Sequence, residues 1–115
     1  MKKSLIIFFV FAMSLLKAQV KENKISEIKF TVKGNCESCK KRIENAADIR
    51  GVKLAEWDAK TQQITVTFRK DKVSEKEIKN AILKSGHDVG EDRAADEVYN
   101  KLPDCCKFRD VKCTK

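Results

Sequence analysis

Cys36 and Cys39 stand three apart in the stretch VKGNCESCKKRIENA, residues 32–46. Two thiols at that spacing support four chemistries: a redox couple, a haem attachment, a crosslink or a pair of metal ligands. Covalent haem needs a histidine directly after the second cysteine, and Lys40 stands there. A Cys36–Cys39 disulfide closes a tiny loop and constrains little. A thioredoxin-type couple uses this spacing at a helix start. It also needs a larger fold and a proline opposite the disulfide, and the one proline, Pro103, lies near the C-terminus. Thiol-disulfide redox work is therefore the alternative. The first reading is a pair of thiolates on a loop, a soft site of low coordination suited to Cu(I), with Hg(II), Zn(II) or Cd(II) also acceptable.

Four further residues are candidate additional ligands: His87, the single histidine, and Cys105, Cys106 and Cys113 near the C-terminus. The tail cysteines are read first as a structural disulfide, for example Cys113 with one of the adjacent pair, and second as ligands. Five cysteines is an odd number, so one thiol is left over or pairs between chains.

The N-terminus bears on the state of these thiols. Lys2 and Lys3 precede SLIIFFVFAMSLL, and Ala18 closes the run. A basic start, a short apolar stretch and a small residue are the marks of a secretory signal, here residues 1–18. The run is shorter than the roughly 20 apolar residues a membrane span needs, so no stable membrane insertion is expected after cleavage. Export, to a periplasm or beyond, places the cysteines where disulfides persist. The chain has 115 residues and a net charge of +8, and it stays basic without Lys2, Lys3 and Lys17. A chain of this length suggests one domain with a small core.

The elements that position the cysteines follow from hydrophobic period. Residues 19–25 form a polar lead-in. Ile28, Phe30 and Val32 alternate as a strand with one buried face, and Gly34 and Asn35 end it. Cys39, Ile43, Ala46 and Ala47 recur at helical spacing, so a helix is predicted over 38–49. VKLAEW and QITVTF read as two strands joined by a turn at 58–61. Ser74 with Glu77 predicts a capping box opening a helix with Ile78, Ala81 and Ile82 inward, and Gly86 stops it. HDV reads as a short last strand. The order βαββαβ over residues 26–90 is an α+β, ferredoxin-like open-faced sandwich, with two helices on one face of a four-stranded sheet. Beyond it, residues 91–115 form a tail. RAADEVYNKL is read as a helix with Ala95, Val98 and Leu102 inward, stopped by Pro103.

Strand, CxxC loop, helix, two strands, helix and strand resemble the heavy-metal-associated domain. The family includes small copper chaperones, the periplasmic mercury-binding protein and N-terminal domains of metal-transporting P-type ATPases. "GV" after the first helix and "GHD" at Gly86–Asp88 are similar to its landmarks. The resemblance implies a metal carrier rather than an enzyme, with Cys36 and Cys39 as ligands, His87 on the loop facing them, and a metal-transporting ATPase or other envelope metal carrier as partner. One departure is the family's methionine two residues before the first cysteine, which is absent here, and Asn35 stands where zinc-selective members often carry an acid. The same fold binds nucleic acid in other proteins, but the aromatic strand motif that RNA-binding modules need is missing, so no nucleic acid is expected.

Overall fold

The computed structural model describes residues 24–35 and 37–110. The expected signal at 1–18, most of the lead-in, Cys36 and Cys113 lie outside the described residues. The elements run β1 (Ile25–Thr31), α1 (Glu37–Ala47), β2 (Val52–Asp58), β3 (Gln63–Arg69), α2 (Glu75–Lys84), α3 (Asp96–Tyr99) and a 3-10 turn (Asp104–Cys106). Among the described residues, no helix is long and apolar enough to cross a membrane.

The sheet is antiparallel, in the order β1-β3-β2. Strand alternation puts every second residue on one face. The register sets Ile28 opposite Val66 and Phe30 opposite Ile64 on one side of β3. It sets Trp57 opposite Ile64 and Ala55 opposite Val66 on the other. Against this face α1 lays Cys39, Ile43 and Ala47, each four residues from the next and all buried. Helix α2 adds Ile78 and Ile82. Its start is capped as the sequence predicts: the Ser74 hydroxyl accepts from the Glu77 N–H at 3.2 Å.

The expected fourth strand is reduced to two bridges, Val89 with Val32 and with Asp92. Gly90, at φ +54°, turns the chain back on itself before a ladder can grow. Val89 and Asp92 then exchange both backbone hydrogen bonds, at 3.0 and 2.8 Å. Among the described residues, the sheet therefore has three strands.

The tail also departs from its expected helix. Only Asp96–Tyr99 is helical. Its inward side chains are Ala94, Tyr99 and Leu102, while Ala95 is exposed and Val98 half-buried. The chain enters this segment irregularly, so helical spacing from Ala95 points the wrong way. Tyr99, Leu102 and Cys106 belong to the same buried cluster as Ile43 and Ile78. Gly86, at φ +102°, receives Leu102 so closely that a Cβ there would sit 3.1 Å from its Cγ and 2.9 Å from the Val98 carbonyl oxygen. Positive φ and this approach both call for glycine.

Candidate metal centre

The loop between β1 and α1 is pressed onto the core from below. A Cβ on Gly34 would lie 3.0 Å from Ile43 Cδ1, 3.1 Å from Cys39 Cβ and 3.1 Å from the Trp57 ring. The family's missing methionine thus falls at a position where any side chain would crowd Ile43, Cys39 and Trp57. The Trp57 indole fills the space under the loop, and its Nε1–H donates to the Val32 carbonyl at 2.9 Å. Gln62 holds the loop from the side, its amide donating to the Gly34 carbonyl at 2.6 Å.

Cys39 lies in the first turn of α1 and is fully buried. What covers it is the tail. The 3-10 turn of Asp104–Cys106 packs on α1, and Cys106 is buried in the same core cluster as Cys39. Cys105, exposed at the rim, has its sulfur 3.9 Å from that of Cys106. The CxxC loop grips Cys105 twice. The Asn35 amide donates to its carbonyl at 3.0 Å, and the Ser38 hydroxyl contacts its sulfur at 3.4 Å.

Among the described residues, the two tail thiols are tuned apart. Burial, with the neighbouring Cys39 thiol, pushes Cys106 up to about 12. The Ser38 hydroxyl and then Cys106 hold Cys105 below the ordinary thiol value, with Arg42 assisting. Of the three cations after Cys39, Arg42 is the one whose charge is felt at both Cys105 and His87. Lys40 is turned away: its ammonium binds the Glu44 carboxylate at 2.6 Å and the Trp57 carbonyl at 3.1 Å.

His87 is buried. Its Nδ1 is 2.8 Å from the Lys33 carbonyl, which only accepts, so Nδ1 carries the proton. Nε2 is buried with no partner among the described residues. The ring stacks on Phe108, centroids 5.5 Å apart at 19°. Burial lowers the imidazole pKa, against a smaller upward pull from the Lys33 carbonyl.

Asp88 completes the tail's seat. Its carboxylate takes Arg109 Nη2 at 2.6 Å and Nε at 3.3 Å, and accepts the Ala94 N–H at 2.7 Å. Arg109 also donates to the Ala94 carbonyl at 2.9 Å and lies over the Tyr99 ring at 4.1 Å. Burial tends to raise the Asp88 pKa, but these donors more than offset it and the net direction is down. The adjacent pair His87–Asp88 thus receives the adjacent pair Phe108–Arg109. No sequence signal marks this docking, because the partners lie about twenty residues apart outside any regular element.

The structure therefore brings together Cys39, Cys105 and Cys106 at one end of α1, with His87 docked under Phe108. Among the described residues, no group of three His, Cys, Asp or Glu side chains is drawn close enough to hold an ion. Cys39 and Cys106 are buried in one cluster, and the first cysteine of the CxxC, Cys36, is outside the described residues. A groove of about 580 Å³ beside the 58–61 turn, lined by Lys29, Glu56 and Lys60 among others, contains none of the described cysteines.

Residues 29–88 match the family model of the heavy-metal-associated domain. Solved structures share the fold. A CopZ metallochaperone is 33% identical with a TM-score of 0.54, matching 56% of this chain and 98% of its own. A copper-bound variant of CopA from Bacillus subtilis is 28% identical with a TM-score of 0.50, matching 57% and 90%. Oxidized MerP from Ralstonia metallidurans CH34, at 24% identity and a TM-score of 0.54, matches 57% and 94% and shares the fold. Among curated proteins, none matches the chain.

Proposed function

The chain belongs to the heavy-metal-associated domain family, which its residues 29–88 match, and on that premise we propose an exported carrier of one soft metal ion held by Cys36 and Cys39. The observation that carries this reading is the family match across the CxxC loop, with Cys39 in the first turn of α1. Unpaired N–H groups at a helix start favour thiolates, the metal-binding form. Cu(I) is the favoured cargo. A site of thiolates suits a soft monovalent ion, and the similar CopA structure was solved with copper. Hg(II), Cd(II) and Zn(II) accept the same donors.

The protein catalyses no reaction in this reading. It receives the ion and passes it by ligand exchange: an incoming thiolate bonds to the ion as one of its own leaves. The receiver is a metal-transporting ATPase or another metal carrier of the envelope. Export rests on the signal-like residues 1–18.

The test is a Cu(I) titration of the reduced protein against a competing chelator. Uptake of one ion per chain is expected, and the Cys36→Ser, Cys39→Ser double variant should lose the tight site. Undiminished binding by that variant would refute the reading. A thiol-disulfide redox protein would instead cycle Cys36 and Cys39 with a thiol substrate and retain no stoichiometric metal.

A further inference from the structure

A carrier that hands over its ion by ligand exchange needs a face of the site open to its partner. Here Cys39 is fully buried, and the cover is this chain's own C-terminal tail. That tail lies beyond the family match, which ends at residue 88. It is also beyond what the solved relatives supply, since 56% of this chain already accounts for 98% of CopZ.

The cover is made of thiols, set with some precision. A buried cysteine by itself is a small apolar filler. Three independent contacts argue for more. The 3-10 turn packs on α1, and its Cys106 is fully buried in the same cluster as Cys39. Asn35, just before the CxxC, and Ser38, inside it, both turn to Cys105, fixing the 3-10 turn against the loop. On the far side Arg109 is clamped by Asp88, with only 13% and 9% of their side chains exposed. The turn carrying Cys106 is thus anchored at both ends, directly over the first turn of α1.

We propose that Cys106 is a third thiolate ligand supplied in cis, closing over an ion held by Cys36 and Cys39. This rests on the metal-carrier reading above and deepens it. On binding, the incoming ion displaces the Cys106 thiol proton to solvent and a sulfur–metal bond forms, with no change of oxidation state. On transfer, the partner's thiolate bonds to the ion, the Cys106 bond breaks, and Cys106 takes up a proton again. The tail holds the place the partner will occupy. An ion so closed is retained more tightly and released only when the tail is displaced. Cys105, exposed beside it, stays outside the ligand set.

The experiment measures the number of sulfurs around Cu(I) by X-ray absorption, and the rate at which a chelator removes the ion, on the reduced full chain. Three sulfurs are expected for the parent and for Cys105→Ser, and two for Cys106→Ser. Losing an outer-shell partner of a ligand weakens a site by about 10- to 100-fold, so losing the ligand itself should speed release by at least about tenfold. Two sulfurs in the parent would overturn the proposal, whatever becomes of the variant. So would an unchanged sulfur count and release rate in Cys106→Ser. Either result leaves the carrier reading standing, because that reading falls only if the Cys36→Ser, Cys39→Ser variant binds as the parent does.

Discussion

His87 sits where burial and hydrogen bonding pull its ionisation in opposite directions. Burial dominates, so the folded protein holds the imidazole below its ordinary pKa. A group depressed on folding contributes stability that is full above its unfolded pKa, about 6.5, and is lost as pH falls toward the folded value. The metal-free protein should therefore lose stability below about pH 6.5. His87→Phe keeps an aromatic ring under Phe108 and has nothing to titrate. Its denaturation midpoint should change less between neutral and mildly acidic pH than the parent's. Parallel curves for the two would show that His87 does not couple protonation to folding. A neutral-pH Cu(I) titration of the same variant separates this role from ligation, since a ligand's loss would weaken binding at every pH. The sequence singles out His87 as the only imidazole near the loop. It does not reveal that Phe108 covers it, because stacking across twenty-one residues leaves no local pattern.

At the scale of elements, strands and long helices are set by near neighbours and the tail is not. Ile64, Val66 and Phe68 alternate, and Ser74 caps α2, so those elements are legible from the chain alone. The cysteine-bearing turn is also placed correctly by its helical spacing. The last strand and the tail escape because their conformation is decided by remote partners: Gly90 reverses the chain, and Ala94 and Tyr99 are pulled inward by Asp88 and the core. The Asp88–Arg109 clamp is the element-level feature most open to test. Removing one partner of a buried ion pair leaves the other charged and unsatisfied, at a loss of about 3–5 kcal/mol. Arg109 keeps a second contact, with Asp96 at 3.2 Å, so Asp88→Asn should fall at or below the lower end. Chemical denaturation would measure the loss. Limited proteolysis should show cleavage in the tail before cleavage in the sheet. An equal loss of protection across the whole chain would show that the clamp holds the core rather than the tail. The sign in pH follows from the same pair. The Asp88 pKa is lowered on folding, so its contribution is full above about pH 4 and is lost as pH falls through the depressed value.

At the scale of the molecule, the question is what the tail adds to a unit that stands without it elsewhere. The CopZ structure matches this chain's βαββα core over nearly its whole length. In this chain the face bearing Cys39, Gly86 and His87 is covered, and Tyr99, Leu102 and Cys106 belong to the core. Burial of one such side chain contributes about 1.5–3 kcal/mol, an upper figure because the unfolded chain already hides some of it. Three of them amount to a large share of the roughly 5–15 kcal/mol by which a domain is stable. A chain ending at Asp92 should therefore still fold, since its strands and α2 are intact, but melt well below the parent. It should keep a two-thiolate site at Cys36 and Cys39, exposed to solvent, and give up Cu(I) to a chelator faster than the parent does. Thermal melting and chelator exchange on the two chains test both halves. An unchanged melting temperature would separate the tail from the core. A folded but metal-free short chain would move the primary site into the tail.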